Sequence, residues 1–509
     1  MNSKTWTRII ALTLFAALAL PLQLDAQTNA KPHHSHQYHH YQISDSGTFG
    51  GPSAGLQNPL LPRAGVLNNR GTVVGWANNS GSDYPFCGFG NCYAGDAFQL
   101  RDGVTTDLGK LPGGFDSQAN WISGNGLIVG LGDDGKPDPP YPIPHLHGLL
   151  WENGVMTDLG SLPEGGDLVF PIAVNNRGEV VGSAQNTVAD PNTMFNPGYG
   201  TQSRAFYWKN GVMQDLGTLG TGTDATAALI NERGQVAGWS YINSTPTAAC
   251  GNFSLTTGTF IWDKKSGMQD IGTFGGTCTI AYDLNNRGQV VGSSNNPGDA
   301  TNLPFVWERA TGMTELTTAG VGGAFTVNDA GDIAGYGLSP DGIYGAILWR
   351  KTGGKWQTTY LGLLHSGDDF AEAWSINAST QVVGNSGPNG GTTTLPFLWE
   401  DGGPMVDLNA LIPSNSGIQL VEAVQINDRG EIAAQGPDAN GNNHAVLLIP
   451  CDENHPGVEG CDYSMVRVSG IASARNPAFD KAARRALLQS FAHRMNRPHL
   501  RGQRGLQPE

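Results

Sequence analysis

Residues 175–182 read Asn-Asn-Arg-Gly-Glu-Val-Val-Gly, a tight turn that runs straight into an apolar strand. The phrase returns as NERGQVAG at 231–238, NNRGQVVG at 285–292 and NDAGDIAG at 328–335, and NNRGTVVG precedes it at 68–75. Asn at the first position of a type I turn caps the backbone with its side chain, and Gly at the fourth accepts positive φ. Turn chemistry alone accounts for both residues, so the Asn needs no catalytic role.

A longer unit recurs around the turn. Copies begin at Asn68, Ser123, Asn175, Asn231, Asn285, Asn328, Asn377 and Asn427, at intervals of 43 to 56 residues. Each runs from an apolar-polar strand through the turn to a Val-Val-Gly strand and a variable loop. A strand ending in aromatic-x-Trp follows, then one of the Met-x-Asp-Leu-Gly type. Repeat three shows these last two at 204–208 (Arg-Ala-Phe-Tyr-Trp) and 213–217 (Met-Gln-Asp-Leu-Gly). Four short strands at this period are the signature of a β-propeller blade, whereas the coils of a β-helix are far shorter. The expected class is all-β, with eight four-stranded blades over residues 41–450. Residues 41–51 resemble a fourth strand and its exit loop, and repeat eight (strands near 424–427, 430–434 and 445–449) lacks a fourth strand. The N-terminal strand is therefore expected to complete the last blade, which removes an open sheet edge.

Gly contributes 72 of 509 residues and charged residues only 14%, a composition suited to a turn-rich β protein. Residues 1–26 read as an export signal, with Lys4 and Arg8 ahead of an apolar run and a small-residue site at 24–26. No later stretch approaches a membrane span, so the chain is expected to be secreted, extracellular or periplasmic. Six cysteines in such a chain read as disulfides. Cys87 with Cys92 and Cys451 with Cys461 flank short loops, leaving Cys250 with Cys278. The formal charge is −15, and an acidic body argues against a nucleic-acid partner. Residues 451–509 are expected to form a disulfide loop and a basic tail, partly helical around 477–495 or disordered.

The repeated segments resemble the bacterial HAF-repeat family of predicted extracellular proteins, named for a His-Ala-Phe strand followed by Asp-Leu-Gly-Thr-Leu-Gly-Gly. Residues 215–220 and 270–276 match the second part, while the triplet has drifted to Arg204-Ala205-Phe206, Gly258-Thr259-Phe260 and His444-Ala445-Val446. The resemblance implies a secreted β-propeller-like repeat protein; the family brings no established reaction with it.

No catalytic motif is present. Asp107, Asp158, Asp215, Asp270 and Asp407 recur at the fourth strand, where each is expected to hydrogen-bond the following turn rather than serve glycoside hydrolysis. The tract His33, His34, His36, His39 and His40 offers transition-metal ligands but lies in an expected spacer, residues 27–40. Residues 133–138 and 438–443 loosely suggest Ca²⁺ loops, neither with a full ligand set.

One asymmetry remains. From the residue ending the second strand to the apolar residue of the third, repeats one to four span 23, 19, 24 and 22 residues; repeats five to eight span 13, 12, 13 and 12. Long loops on a rigid scaffold are where binding resides. These carry Trp76, Tyr84, Phe86, Phe89, Tyr93, Tyr141, Phe195, Tyr199, Trp239, Tyr241 and Phe253. The expected function is a binding or adhesion module for polysaccharide or a surface protein, with these aromatics as platforms. A carbohydrate-active enzyme would need two carboxylates in one cleft, from among Asp83, Asp96, Asp116, Asp133, Asp134, Asp167 and Asp190. A matrix or surface-layer component is the third reading.

Overall fold

A computed structural model describes residues 36–56, 65–82, 93–137, 144–166, 168–194, 200–251, 253–388, 394–400 and 402–467. All lie in the second of the chain's two compact units, His36–Glu509. The expected signal, His33, His34, the Cys87–Cys92 bridge and the helical part of the tail fall outside the described residues.

The described residues are strands and turns, with one short 3-10 element at Leu408–Ala410. Six sheets have four antiparallel strands each. A seventh, of eight strands, joins two such units through a single parallel pair, Tyr344 with Phe370. Repeat three is typical: Val169–Val174, Val180–Ala189, Thr201–Lys209 and Val212–Asp215 lie side by side in chain order. In the last sheet the order is Tyr41–Asp45, Asn443–Pro450, Ile432–Pro437, Glu422–Ile426. Tyr41 pairs with Pro450 and Asp45 with Val446, so the N-terminal strand supplies the missing fourth strand of repeat eight.

Two expectations near the termini need correction. Gly50 and Gly51 are not exit loop; they open Gly50–Gly55, which pairs with Val73–Ser82 as the first strand of repeat one. A Cβ on Gly51 would stand 2.5 Å from both Asn78 Cβ and Asn79 O, so only Gly allows that approach. Nor is all of 27–40 a spacer, because Gln37–His39 pairs with Met465–Arg467 from the start of the expected tail. The cause is Tyr38, which is 1% exposed and whose hydroxyl donates to Pro404 O at 2.7 Å. The Cys451–Cys461 disulfide folds the chain back so that the partner strand can reach it.

A bulge explains the Val-Val-Gly signature. In repeats two to eight the first strand slips register by one residue against the second, as between Ala227 and Leu229 or Ala281 and Asp283. A bulge bends the strand and increases its local twist, and here the bent strand lies close against the second one. A Cβ at Gly238 would stand 1.9 Å from Thr226 O, and one at Gly292 2.0 Å from Ile280 O. Only repeat eight has a side chain in this slot, Ala434.

The turn Asn does more than cap. Asn175 Oδ1 accepts from Arg177 N (3.0 Å) and Glu179 N (3.2 Å), while its Nδ2 donates to Asn231 O in the next repeat (3.1 Å). Asn231 reaches Asn285 O, then Asn328, Asn377 and Asn427 follow in succession, at 2.9–3.0 Å. Asn427 donates to Asn68 O at 3.0 Å, and Asn68 to Ser123 O at 3.1 Å. Ser123 cannot continue the series, and Asn125 Nδ2 donating to Asn176 O (2.9 Å) takes over.

Two substitutions test these constraints. Gly238→Ala is expected to cost about 1–3 kcal/mol by overpacking, read as a lower urea midpoint; an unchanged midpoint sinks the steric account. Asn285→Ala strands the buried Gln289 N–H, the half-buried Arg287 N–H and the Asn328 carbonyl, for about 2–4 kcal/mol. Asn285→Ser keeps an acceptor, as Ser123 does, and should recover roughly half of that loss in the same denaturation series.

Candidate functional site: the hairpin face of repeats one to four

The long loops are largely extensions of the sheets. The second strands Val73–Ser82, Ile128–Pro137 and Val180–Ala189 have 10 residues and Val236–Pro246 has 11, whereas Val290–Asn295, Ile333–Leu338, Val382–Gly387 and Ile432–Pro437 have six. In each long case pairing resumes after a register shift, at Ser82 with Tyr93, Pro137 with Pro144, Ala189 with Thr201 and Pro246 with Leu255. Repeats one to four thus project hairpins at the end of the sheets away from the Asn turns.

The base of the fourth hairpin packs into a core shared with neighbouring repeats, which corrects the expectation for three aromatics. Trp239 (3% exposed), Tyr241 (1%) and Phe253 are buried together, with ring centroids 6.0 Å apart for Trp239–Phe253 and 6.4 Å for Tyr241–Phe253. Met194, Cys250 and Cys278 share the cluster, and the Cys250–Cys278 disulfide closes it. An isolated hairpin is marginal in water; these buried rings anchor its base to the sheets and are not platforms. Trp76 is half-buried, its indole crossing the backbone at Gly55, and Tyr93 is 41% exposed. Phe115, in the segment linking repeats one and two, is also exposed and went unnoticed in the sequence because it lies outside the long loop. Tyr84, Phe86, Phe89, Tyr141, Phe195 and Tyr199 lie outside the described residues.

The carboxylates of this face are tied to backbone or side-chain donors. Asp133 accepts from Phe115 N (3.0 Å), Asp116 N (2.6 Å) and Gly135 N (2.8 Å). Asp116 accepts from Gly95 N at 2.7 Å, and Asp96 takes Asn79 Nδ2 at 2.7 Å and Lys110 Nζ at 2.8 Å. Asp190 holds Asn192 N at 2.8 Å. It lies beside Asp224, which is fully buried and accepts from Ser203 N, Thr223 Oγ1 and Met194 N. Burial is the main cause that pushes the Asp224 carboxyl up to about 6, with the hydrogen bond to Asp190 adding to it. Both are buried too deeply to flank a glycosidic bond. Asp83 and Asp167 lie outside the described residues. In the second suggested Ca²⁺ loop, Asp438 accepts from Asn440 N and Asn442 N at 2.8 and 2.9 Å. Of the histidine tract, His39 Nδ1 lies 3.2 Å from Cys451 O and His40 pairs with Asp462 at 3.5 Å, so these two point to different partners.

The recurring fourth-strand Asp residues cap the turns that follow them: Asp107, Asp158, Asp215 and Asp270 accept from Gly109, Gly160, Gly217 and Gly272 N at 2.7–2.9 Å. A cation two residues before the strand's central apolar position reaches the second oxygen. His147 Nδ1 lies 2.8 Å from Asp158 Oδ2, Arg204 Nε 2.8 Å from Asp215 Oδ2, and His444 Nδ1 2.8 Å from Asp45 Oδ2. The third pair fastens the N-terminal strand to repeat eight. The Asp45 hydrogen bond is the main cause that raises the His444 pKa. Burial pushes Asp45 up, but the His444 bond and Gly47 N–H hold it below the usual carboxylate range.

No family model matches the chain, and no curated protein matches it. Among solved structures it is similar to the β-propeller domain of the Trilobed protease from Pyrococcus furiosus, described as having an open velcro topology, at 7% identity and TM-score 0.39, over 73% of this chain and 96% of that one. It is also similar to acylaminoacyl peptidase of Pyrococcus horikoshii (11%, 0.36, over 63% and 50%) and dipeptidyl peptidase 4 of Porphyromonas gingivalis (10%, 0.35, over 68% and 54%). The chain spans about half the length of these two peptidases.

The His444–Asp45 pair gives a signed pH dependence. A raised His contributes stability that is complete below its ordinary pKa of about 6.5 and is lost as pH rises through the folded value. A depressed Asp contributes above the usual carboxylate range and loses its contribution as pH falls through its folded value. The Tm gap between the parent and His444→Gln should be widest near about pH 6 and shrink by about pH 8.5. A gap constant across that range would show that the pair is not titrating.

Proposed function

We propose that the chain is a secreted binding module: an eight-bladed propeller of the HAF-repeat type, closed by Tyr41–Asp45, which holds polysaccharide on the hairpin face of repeats one to four. The observation that carries this reading is the fourth hairpin, with a buried aromatic core and a disulfide tying it to the segment that leads into repeat five. A sheet unit closes without such an extension in repeats five to eight, so packing does not call for it. A stiff loop loses little entropy on binding. Tyr93, Phe115 and half-buried Trp76 supply flat apolar surface on the same face. Ring closure is supported by the strand pairing of Tyr41–Asp45 and by Asn427 bonding Asn68. Two disulfides favour a non-cytoplasmic setting. Among the described residues no helix is long and apolar enough to cross a membrane.

Affinity electrophoresis through gels of different bacterial and plant polysaccharides tests the reading, using the chain without residues 1–26. Retardation by at least one glycan is expected. Tyr93→Ala combined with Trp76→Ala should weaken it about fivefold or more, the usual loss for contacting aromatics. Equal mobility in every gel would sink the carbohydrate reading and turn the search to protein partners.

A further inference from the structure

The base of the second hairpin gathers two imidazoles and two carboxylates. His145 and His147 lie two apart on Pro144–Glu152, so both side chains leave the same face of the strand. Asp134 belongs to the neighbouring strand Ile128–Pro137, where the ladder shifts register between Asp133 and Pro137. Its two oxygens stand 3.9 Å from His145 Nδ1 and 3.8 Å from His147 Nε2. Three groups that ligate metals therefore face one another across the ladder. The imidazoles are 25% and 28% exposed, so an ion can reach them from solvent.

The far side of His147 prepares it as a ligand. Its Nδ1 lies 2.8 Å from Asp158 Oδ2. An ionised carboxylate only accepts, so Nδ1 carries the proton and Nε2 of the neutral ring presents a lone pair. That Nε2 is shielded from water and has no hydrogen-bond partner. A carboxylate behind an imidazole, with the other ring nitrogen left over, is the usual outer partner of a metal-ligating His. Repeat eight shows the arrangement without a second imidazole. His444 likewise pairs with Asp45 at 2.8 Å and stands 3.8 Å from Asp438. There Asn442 takes the place of His145, and Asp438 accepts from Asn440 N and Asn442 N of its own turn. In repeat two Asp134 accepts from Lys136 N at 3.0 Å and from Lys136 Nζ at 2.5 Å. A cation thus already sits on Asp134, and it is easily displaced, because Lys136 is 73% exposed and such an exposed pair contributes little. Among the described residues no three ligating side chains have closed on a single point. Here the separations of 3.8 and 3.9 Å exceed by about half an ångström the roughly 3.3 Å between ligands on a tetrahedral ion with bonds of about 2.0–2.1 Å. Small rotations of the His and Asp side chains close that gap.

We propose that Asp134, His145 and His147 bind a divalent transition-metal ion of the Zn²⁺, Ni²⁺ or Cu²⁺ type, with a fourth position left to water, once Lys136 swings off Asp134. Two imidazoles with one carboxylate select these ions over Ca²⁺ and Mg²⁺, which take oxygen ligands. The ion cross-links the two strands of the second hairpin near its base, much as the Cys250–Cys278 disulfide fixes the fourth.

Isothermal titration of the chain without residues 1–26 with Zn²⁺ tests it, and saturable binding is expected. His145→Gln removes one ligand and leaves the His147–Asp158 bond in place, so the variant should fold. Its affinity for Zn²⁺ should fall at least about tenfold, and Asp158→Asn should cost about as much, the scale for losing the outer partner of a ligating His. Lys136→Ala frees Asp134 and should tighten binding about two- to fivefold, the scale of an exposed ion pair. An ion held by the tract His33, His34, His36, His39 and His40 would bind His145→Gln and the parent alike, and that result would overturn the proposal. So would a parent that binds no Zn²⁺, or weaker binding in Lys136→Ala.

Discussion

The structure depends on one buried amide per repeat. The turn Asn uses its oxygen to hold its own turn and its nitrogen to grip the turn of the next repeat, as Asn285 does with Gln289 N and Asn328 O. A residue that is both donor and acceptor in this way couples neighbours rigidly. Sliding one sheet against the next would strand buried polar groups, each worth about 1–3 kcal/mol. Where the series lapses at Ser123, Asn125 and Asn176 supply a substitute bond one residue further out. The contact therefore persists even where the residue does not.

That coupling leaves the other end of each sheet free to vary. The bulged first strand and the Gly that accommodates it bring the strands together near the turns, and beyond that point the second and third strands can run on as far as their own packing allows. Four repeats use this freedom to project hairpins. The cost is visible in the fourth, where rings that would make good ligand platforms are consumed in holding the loop up. The same economy governs charge. Most of the carboxylates that look available in the sequence, such as Asp133, Asp116 and Asp190, are tied to backbone N–H groups.

Much of the architecture was legible because its determinants are local and repeated. The turn, the strand order, the Cys250–Cys278 and Cys451–Cys461 pairs and the pairing of Tyr41–Asp45 with repeat eight all follow from short-range patterns. Trp239 and Tyr241 were misplaced because their burial depends on Phe253, Met194 and Cys278, which lie 12 to 47 residues away in sequence. Tyr38 hid within a polar, His-rich tract, since its partner, Pro404, lies 366 residues further on. Asp224 carried a weak signal, because Asp116 stands in the same place before repeat two, but nothing local marks Asp224 as buried.

By itself the sequence determined the repeat, its turns, its strand polarity and the half of the molecule that bears long loops, because these follow from backbone conformations set by Asn, Gly and alternating apolar residues. Only the tertiary structure decided which aromatics face water, which carboxylates are tied to the backbone, and that the residues before the turns of all eight repeats come round to one cup. Those properties arise from contacts between repeats about fifty residues apart, where burial and hydrogen-bond partners are settled by packing and not by neighbours along the chain.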